Sequence, residues 1–587
     1  MFDGNNTAFG SSDWINATCE VLQKSKDATL DKNVGVWGAN SFLMNNVHLA
    51  TRELPKKLLD WENYSTVEDA FHLSNANTGC AVNVDNSSAN GRGVVLVERS
   101  VARFDFKDGS NNNNTYSALL NYDANGDPND AEPIVDVQIQ KMCLVNMSNK
   151  FYYLPRTSDN GQDANYELCG LELPWTRNAD GQYTGGNYVV GPYASIFGGS
   201  AVKTNFSNYF NFPFFEDNGS YNSEVMSSSR WDVVTVENVL KGNRDNYVKP
   251  GEEGAQPGQY RVWRYVTENL IPEDQDNQMN GISTGVVFKA KLKGSEKIFA
   301  EGSNYYEEDW NEGAIKNLAN CLNGEEFTYN GDPHHILQGN SQDDPILYYI
   351  GGHLYMGWRH LRQAAIQASV TVNANDELEI NRSNTLYKAV FGDGPIPTYT
   401  IGNSDVENHM IYVLPNKGGT REIDDPMWTA AKNNQNGEEW NGYLQSANYA
   451  WSQWSLNGKE VGNDNTDSTD RPLLKAMRAA VTGAGITIYQ SSIDDVYGAG
   501  YYCYYYYWNR HNDNGLNGSM GPMEFDVVRN NVYKLSIDKI ARLGHPRIPE
   551  NDPNNPTPET PDESDEIYLD VRVEIAPWVV RLNSITF

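Results

Sequence analysis

Residues 134–140 read IVDVQIQ, and the pattern in those seven positions decides the fold class. Val135, Val137 and Ile139 alternate with Asp136, Gln138 and Gln140. Successive side chains of a strand point to opposite faces, so a period of two means one dry face and one wet face. The pattern recurs in 282–292, where Ile282, Val286, Phe288, Ala290 and Leu292 lie opposite Lys289 and Lys291. It recurs again in 102–107, where Ala102, Phe104 and Phe106 alternate with Arg103, Asp105 and Lys107. Asn-Gly, Asp-Gly and Asn-Asn dipeptides punctuate such runs, because Gly and Asn accept the positive φ of tight turns. Many short strands joined by long polar loops predict a mostly β protein of antiparallel sandwiches. Helical periodicity is confined to 311–322, 353–368 and 473–481, read as short helices inserted between strands.

Composition narrows the function classes. The chain has 587 residues, room for about two to four domains of ordinary size. Hydrophobic residues make up 39% and charged residues 21%, which excludes disorder for most of the chain. Against 45 Lys and Arg stand 77 Asp and Glu, a net charge of −32. That field repels phosphate backbones and anionic headgroups, so no nucleic-acid partner is expected. No segment has the ~20 consecutive apolar residues of a membrane helix. The start, MFDGNNTAFGSSDWIN, shows no basic region and no apolar core, so no signal peptide is expected within it.

Chemistry-bearing motifs are weak throughout. Cys19, Cys80, Cys143, Cys169, Cys321 and Cys503 are scattered without CxxC spacing, and read as ordinary, partly buried thiols. His353 and His360 fall on a predicted helix, yet no HExxH or Cys/His zinc spacing surrounds them. Asp123, Asn125 and Asp127 copy half of a calcium loop, but Pro128 replaces its turn glycine and Ile134 its twelfth-position Glu. Pairs such as Glu308 and Glu312 are inevitable among 77 acids and carry no glycosidase signal. No catalytic residue, cofactor or metal is therefore assigned. The run YYCYYYYW at 501–508 could stack sugars, but adjacent strand residues face opposite ways. Tyr504 and Tyr506 are expected on one face, Tyr505 and Tyr507 on the other, in a central strand packed on both sides.

Two segments look like boundaries. KPGEEGAQPGQ at 249–259 is rich in Pro, Gly and charge, dividing the chain into parts spanning 1–255 and 256–545. In 546–566, proline recurs at positions 546, 549, 553, 556, 558 and 561 among acidic residues, which predicts an extended polyproline linker. Beyond it, 567–575 alternates Ile567, Leu569, Val571, Val573 and Ile575 with Tyr568, Asp570, Arg572 and Glu574. The chain closes with WVVRLNSITF at 578–587. Apolar strands beyond a linker must pair with an edge, on their own domain or on another molecule. Thus 546–587 reads as linker plus terminal strand.

The block YYYYWNRHNDNG at 504–515, followed by MGPMEFDVVRNNVYKLSI at 520–537 and PWVVRLNSITF at 577–587, resembles the C-terminal domain of the Bacteroidales minor-fimbrium major subunits, the type V pilins. WRYVTENLIP at 263–272 with GISTGVVFKAK at 281–291 is similar to the start of that family's second domain. LVERSVARFDF at 96–106 and MSNKFYYLPR at 147–156 are similar to its first-domain strands. The resemblance implies two transthyretin-like β-sandwich domains, with no enzymatic activity and no cofactor. It implies a cell-surface fimbrial subunit on the outer membrane of a Gram-negative bacterium, exported as a lipoprotein and supporting adhesion. Its partners would be copies of itself and other fimbrial subunits, with host or bacterial surface receptors. Polymerisation would proceed head to tail, a C-terminal donor strand filling a groove opened by an arginine-specific protease. By this reading Trp578, Val580 and Leu582 anchor the donor strand, while Ile585 and Phe587 seal its end. FLMNNV at 42–47 is similar to a segment well inside that first domain, so the export signal and processing arginine are expected outside this chain. The competing readings are a fimbrial tip adhesin and a monomeric glycan-binding surface lipoprotein. A tip subunit would lack the terminal strand that 578–587 supplies.

Overall fold

The computed structural model describes residues 16–21, 37–38, 41–46, 97–120, 133–164, 166–168, 176–177, 183–184, 188–197, 204–223, 225–226, 233–242, 247–249, 252–255, 258–272, 278–279, 281–299, 315–329, 332–339, 344–372, 374, 378–393, 442, 444–455, 471–515, 520–562 and 568–577. Its centre is a β-sandwich. The strands used below are β1 (Ala102–Lys107), β2 (Thr115–Leu120), β3 (Pro133–Val145), β4 (Val234–Thr235), β5 (Arg261–Val266), β6 (Gly285–Gly294), β7 (Ser491–Asp494), β8 (Gly498–Trp508), β9 (Asn531–Ile540), β10 (His545–Pro546) and β11 (Leu569–Pro577). One sheet runs β4-β3-β6-β8-β7, with β2 joined to β3 and β10 to β8. The other runs β5-β1-β9-β11, antiparallel except for the parallel pair β1 and β9.

The alternation read in the sequence sets which face each sheet buries. Phe106 of β1 meets Phe288 of β6 across the interior, ring centroids 6.0 Å apart. Phe104 stacks on Tyr533 of β9 at 5.1 Å. Large side chains buried in this way stabilise the fold by about 1.5–3 kcal/mol each before entropy is counted. In β3 the clean alternation gives out after Gln140, and Lys141, Met142, Cys143, Leu144 and Val145 are all buried. The reason is that this end of the sheet is covered on its outer face as well, where Cys143 lies by Met226 and by Tyr221, whose ring meets Phe214 at 5.4 Å. At the opposite end of the sheet, where Gly294 pairs with Val135, that last residue of β6 lies against the helix Ile315–Asn323, and a Cβ there would fall 2.5 Å from that of Ala319. Only glycine permits so close an approach.

Strands from both sides of 249–259 share these sheets. Ten residue pairs join β3 to β6, from Gly285 opposite Val145 to Gly294 opposite Val135, and β5 pairs with β1. The same hydrophobic core includes residues from Ala102 to Leu543. The expected division between 1–255 and 256–545 therefore does not coincide with a division between sheets. Residues 249–259 link the short helix Val236–Lys241, which follows β4, to β5.

Between β6 and β7 lies a largely helical insertion with its own core. Trp358, Leu361, Tyr387, Phe391, Trp451, Met477 and Val481 pack together there. The helix expected over 473–481 is Arg471–Gly483, and that expected over 311–322 is Ile315–Asn323. The helix expected over 353–368 is a correction. Residues His353–Met356 form a strand paired with Leu347–Ile350, and the helix spans Trp358–Ser369. Gly351 and Gly352 adopt φ of 60° and 83°, the two positive values that a tight hairpin turn needs.

Candidate assembly site

The resemblance directs attention to the C-terminal part, from β8 onward. In β8, Tyr505 stands opposite Phe288, so its face looks between the sheets, and its hydroxyl donates to the Arg542 carbonyl at 3.0 Å. Tyr506 looks outward and meets the Phe214 ring at 4.9 Å. Trp508, on the Tyr506 side, meets the same ring at 5.3 Å. Both faces are covered, as expected for a packed central strand. Burial drives the hydroxyls of Tyr504, Tyr505, Tyr506 and Tyr507 far above the ordinary tyrosine range.

After β9 the chain does not run out as an extended linker. Cys503 and Tyr504 of β8 pair with Pro546 and His545 of β10, and a turn of 3-10 helix follows over Pro549–Asn551. The His545 ring stacks between Tyr506 at 4.8 Å and Tyr568 at 4.6 Å, and its Nδ1 meets the Asp552 carboxylate. Pro561 bridges to Met279, and the Asp562 N–H donates to the Gln278 carbonyl at 3.2 Å. The polyproline expectation for 546–566 is corrected over its described residues. Proline forbids regular ladders, but the interspersed Asp, Asn and Thr close local turns, such as Asn554 N–H to Asp552 Oδ1 at 3.0 Å. Asn551 and Asp562 are buried by them.

The expected strand at 567–575 is present as β11, and it finds its edge on its own body. Its ladder with β9 extends from Asn531 opposite Pro577 to Ile540 opposite Leu569. Val571, Val573 and Ile575 pack on the core. Asp570, Arg572 and Glu574 face water, Glu574 holding Lys534 at 2.8 Å and Arg572 holding Asp538 at 3.0 Å. Such exposed pairs contribute little, so the packed face and the ladder hold β11. Among the described residues β11 pairs only with β9, which makes it a sheet edge. Trp578, Val580, Leu582, Ile585 and Phe587 follow directly and lie outside the described residues.

The turn before β9 carries two groups that sequence reasoning passed over. Arg529 and Glu268, both fully buried, form a two-pronged ion pair, with Nε to Oε2 at 2.6 Å. Asp526, also buried, accepts the Ile271 N–H at 2.9 Å, and burial raises its carboxyl well above the ordinary range. The local sequence carries no distinct signal for the pair, since Glu268 stands between Thr267 and Asn269 and Arg529 is followed by Asn530 and Asn531.

The other sequence candidates stay apart from this region or lie outside it. Cys19, Cys143, Cys321 and Cys503 are free, buried thiols, with burial pushing Cys143 and Cys503 up to about 12. The His360 ring meets the carbonyl of Met356, the last residue of the strand that precedes its helix. Asp123, Asn125, Asp127, Glu308 and Glu312 lie outside the described residues. Among the described residues no group of three His, Cys, Asp or Glu side chains is arranged to hold a metal ion, and no helix is long and apolar enough to cross a membrane.

A search of curated proteins finds no match to the chain. Residues 496–584, which begin ahead of β8 and run past β11, match the family described as major fimbrial subunit protein type IV, fimbrillin, C-terminal, and over that part the chain is fimbrillin-like.

Proposed function

We propose that the chain is a structural subunit of a cell-surface fimbrium, of the type V kind found in Bacteroidales, that polymerises by donor-strand exchange. The fimbrillin match supports a fimbrial structural subunit. The single observation that carries the finer reading is the position of β11. It is an edge strand among the described residues, and the apolar segment 578–587 follows it directly in the sequence.

A strand of that length burying about five large apolar side chains gains roughly 8–15 kcal/mol before ordering costs. A backbone ladder to the acceptor adds to this. Trp578, Val580 and Leu582 would fill the groove of a neighbouring copy, and Ile585 and Phe587 would close its end. The assembled fibre would stand on the outer membrane and support adhesion, its acidic faces keeping neighbouring fibres apart. No catalytic step is needed from this chain.

A synthetic peptide of residues 578–587 tests the reading. In excess it should occupy free grooves and shorten growing filaments, while a peptide with aspartate at the Val580 position should not, since an unpaired buried charge costs several kcal/mol. Growth unaffected by the first peptide would count against donor-strand exchange.

A further inference from the structure

The strand Thr18–Glu20 joins the body over one short ladder, with Thr18 opposite Tyr152, Cys19 opposite Phe151 and Glu20 opposite Lys150. Two main-chain bonds extend it, from the Tyr153 N–H to the Ala17 carbonyl and from the Val21 N–H to the Asn149 carbonyl, both at 2.8 Å. Ala17, Cys19 and Val21 are buried, and the last two pack with Phe151, Leu43 and Tyr153. A slip of one residue would turn these side chains to water, so burial forbids it. A slip of two would only move Ala17 into the place of Cys19 and Cys19 into that of Val21, which the period of two permits. Something else must set the register. At the head of the strand the Arg156 side chain, 1% exposed, lies between two rings, 3.7 Å from the centre of Tyr152 and 4.0 Å from that of Tyr166. Asp163 holds one edge of it, accepting Arg156 Nη1 at 2.6 Å and the Tyr152 hydroxyl at 3.1 Å. Arg156 Nη2 donates to Asn16 Oδ1 at 2.7 Å, and the Tyr166 hydroxyl lies 3.5 Å from the same oxygen.

We propose that the cage of Tyr152, Arg156, Asp163 and Tyr166 is the register key of this sheet edge. It reads a side-chain oxygen one residue ahead of the buried Ala17, and so selects which segment pairs with Lys150–Tyr152 and in which register. A planar guanidinium stacked on both faces cannot swing, so its donors point in fixed directions. Asp163 offsets its charge, and Nη2 is matched by an amide oxygen but not by a hydrocarbon side chain. A slip of two would bring Trp14 or Thr18 to the cage in place of Asn16. Trp14 has no acceptor oxygen, and the Thr18 hydroxyl sits on a shorter side chain. Asn16 and Arg156 are 140 positions apart, so the key acts only once the body has folded. This inference does not depend on the fimbrial reading.

Paired cysteines in the full chain read the register. Glu20 and Lys150 stand directly opposite and partly exposed, their charged groups 3.4 Å apart. In a Cys19→Ala background, Glu20→Cys with Lys150→Cys traps the native register. Thr18→Cys or Leu22→Cys with Lys150→Cys traps the two slips of two residues. With the cage intact, mapped disulfides should show the native pair alone. Asn16→Leu or Arg156→Gln should raise the slipped pairs by roughly tenfold, as for a lost hydrogen bond to a charged group. Asn16→Asp, which keeps an acceptor oxygen at the same reach, should hold the native register. The native pair alone in Asn16→Leu would overturn the key, and so would loss of all three pairs, which would mean a tether that sets no register. If Arg156→Gln does not fold, Asn16→Leu decides by itself, since Asn16 is exposed.

Discussion

At the scale of single residues, Tyr505 shows how each position combines packing with a polar tie. Its ring fills the space between the sheets, and its hydroxyl reaches the Arg542 carbonyl. Tyr505→Ala should destabilise the fold by about 3–5 kcal/mol through the cavity, and Tyr505→Phe by about 1 kcal/mol through the lost hydrogen bond. Chemical denaturation of the two variants checks both figures. Asp526 makes a pH prediction. Its folded carboxyl sits well above the ordinary value of 3.8, so the folded state holds a proton that the unfolded chain releases. Stability is therefore greatest below that ordinary value and falls as pH rises above it, by about 1.4 kcal/mol per pH unit while the proton is retained. Asp526→Asn should flatten this fall in denaturation midpoints taken from pH 4 upward; an unchanged slope would place the proton elsewhere. The facing of Tyr505 was legible in the sequence because alternation is local. The Arg529 and Glu268 pair was not, because its members are 261 positions apart and only the fold chooses the partner.

At the scale of elements, the strap from β10 to β11 decides how the C-terminus leaves the body. His545 is its pin, stacked on two tyrosines and paired to Asp552. His545→Ala should open the strap to proteolysis within 547–562 while β8 and β9 keep their protection, since those strands are buried in the sandwich. Uniformly faster cleavage across the chain would mean that the whole fold is weakened instead. The strap was misread as a linker because proline and acid content report only the lack of a regular ladder. Turns closed by Asp and Thr side chains satisfy that constraint equally well. The hairpin at 347–356 was misread as the start of a helix for a similar reason. Leu354 and Met356 fit an alternating strand as well as a helical face over so few residues, and the Gly351-Gly352 turn decides between them.

At the scale of the whole molecule, the two sheets are woven from chain segments far apart in sequence. Cleavage at an engineered site within 249–259 should leave the two parts associated under native conditions. Each sheet would otherwise have to give up a ladder, β3 from β6 or β1 from β5 and β9. Fragments that separate on gel filtration without denaturant would argue for independent domains. The class of fold was legible from period-two patterning, but strand order was not, since pairing across hundreds of residues leaves no local trace. The donor-strand reading is tested most directly by imaging filaments from the chain with and without residues 578–587. The account predicts filaments from the former, and from the latter folded subunits with an unchanged β spectrum that do not polymerise. Filaments of normal length from the shortened chain would contradict it.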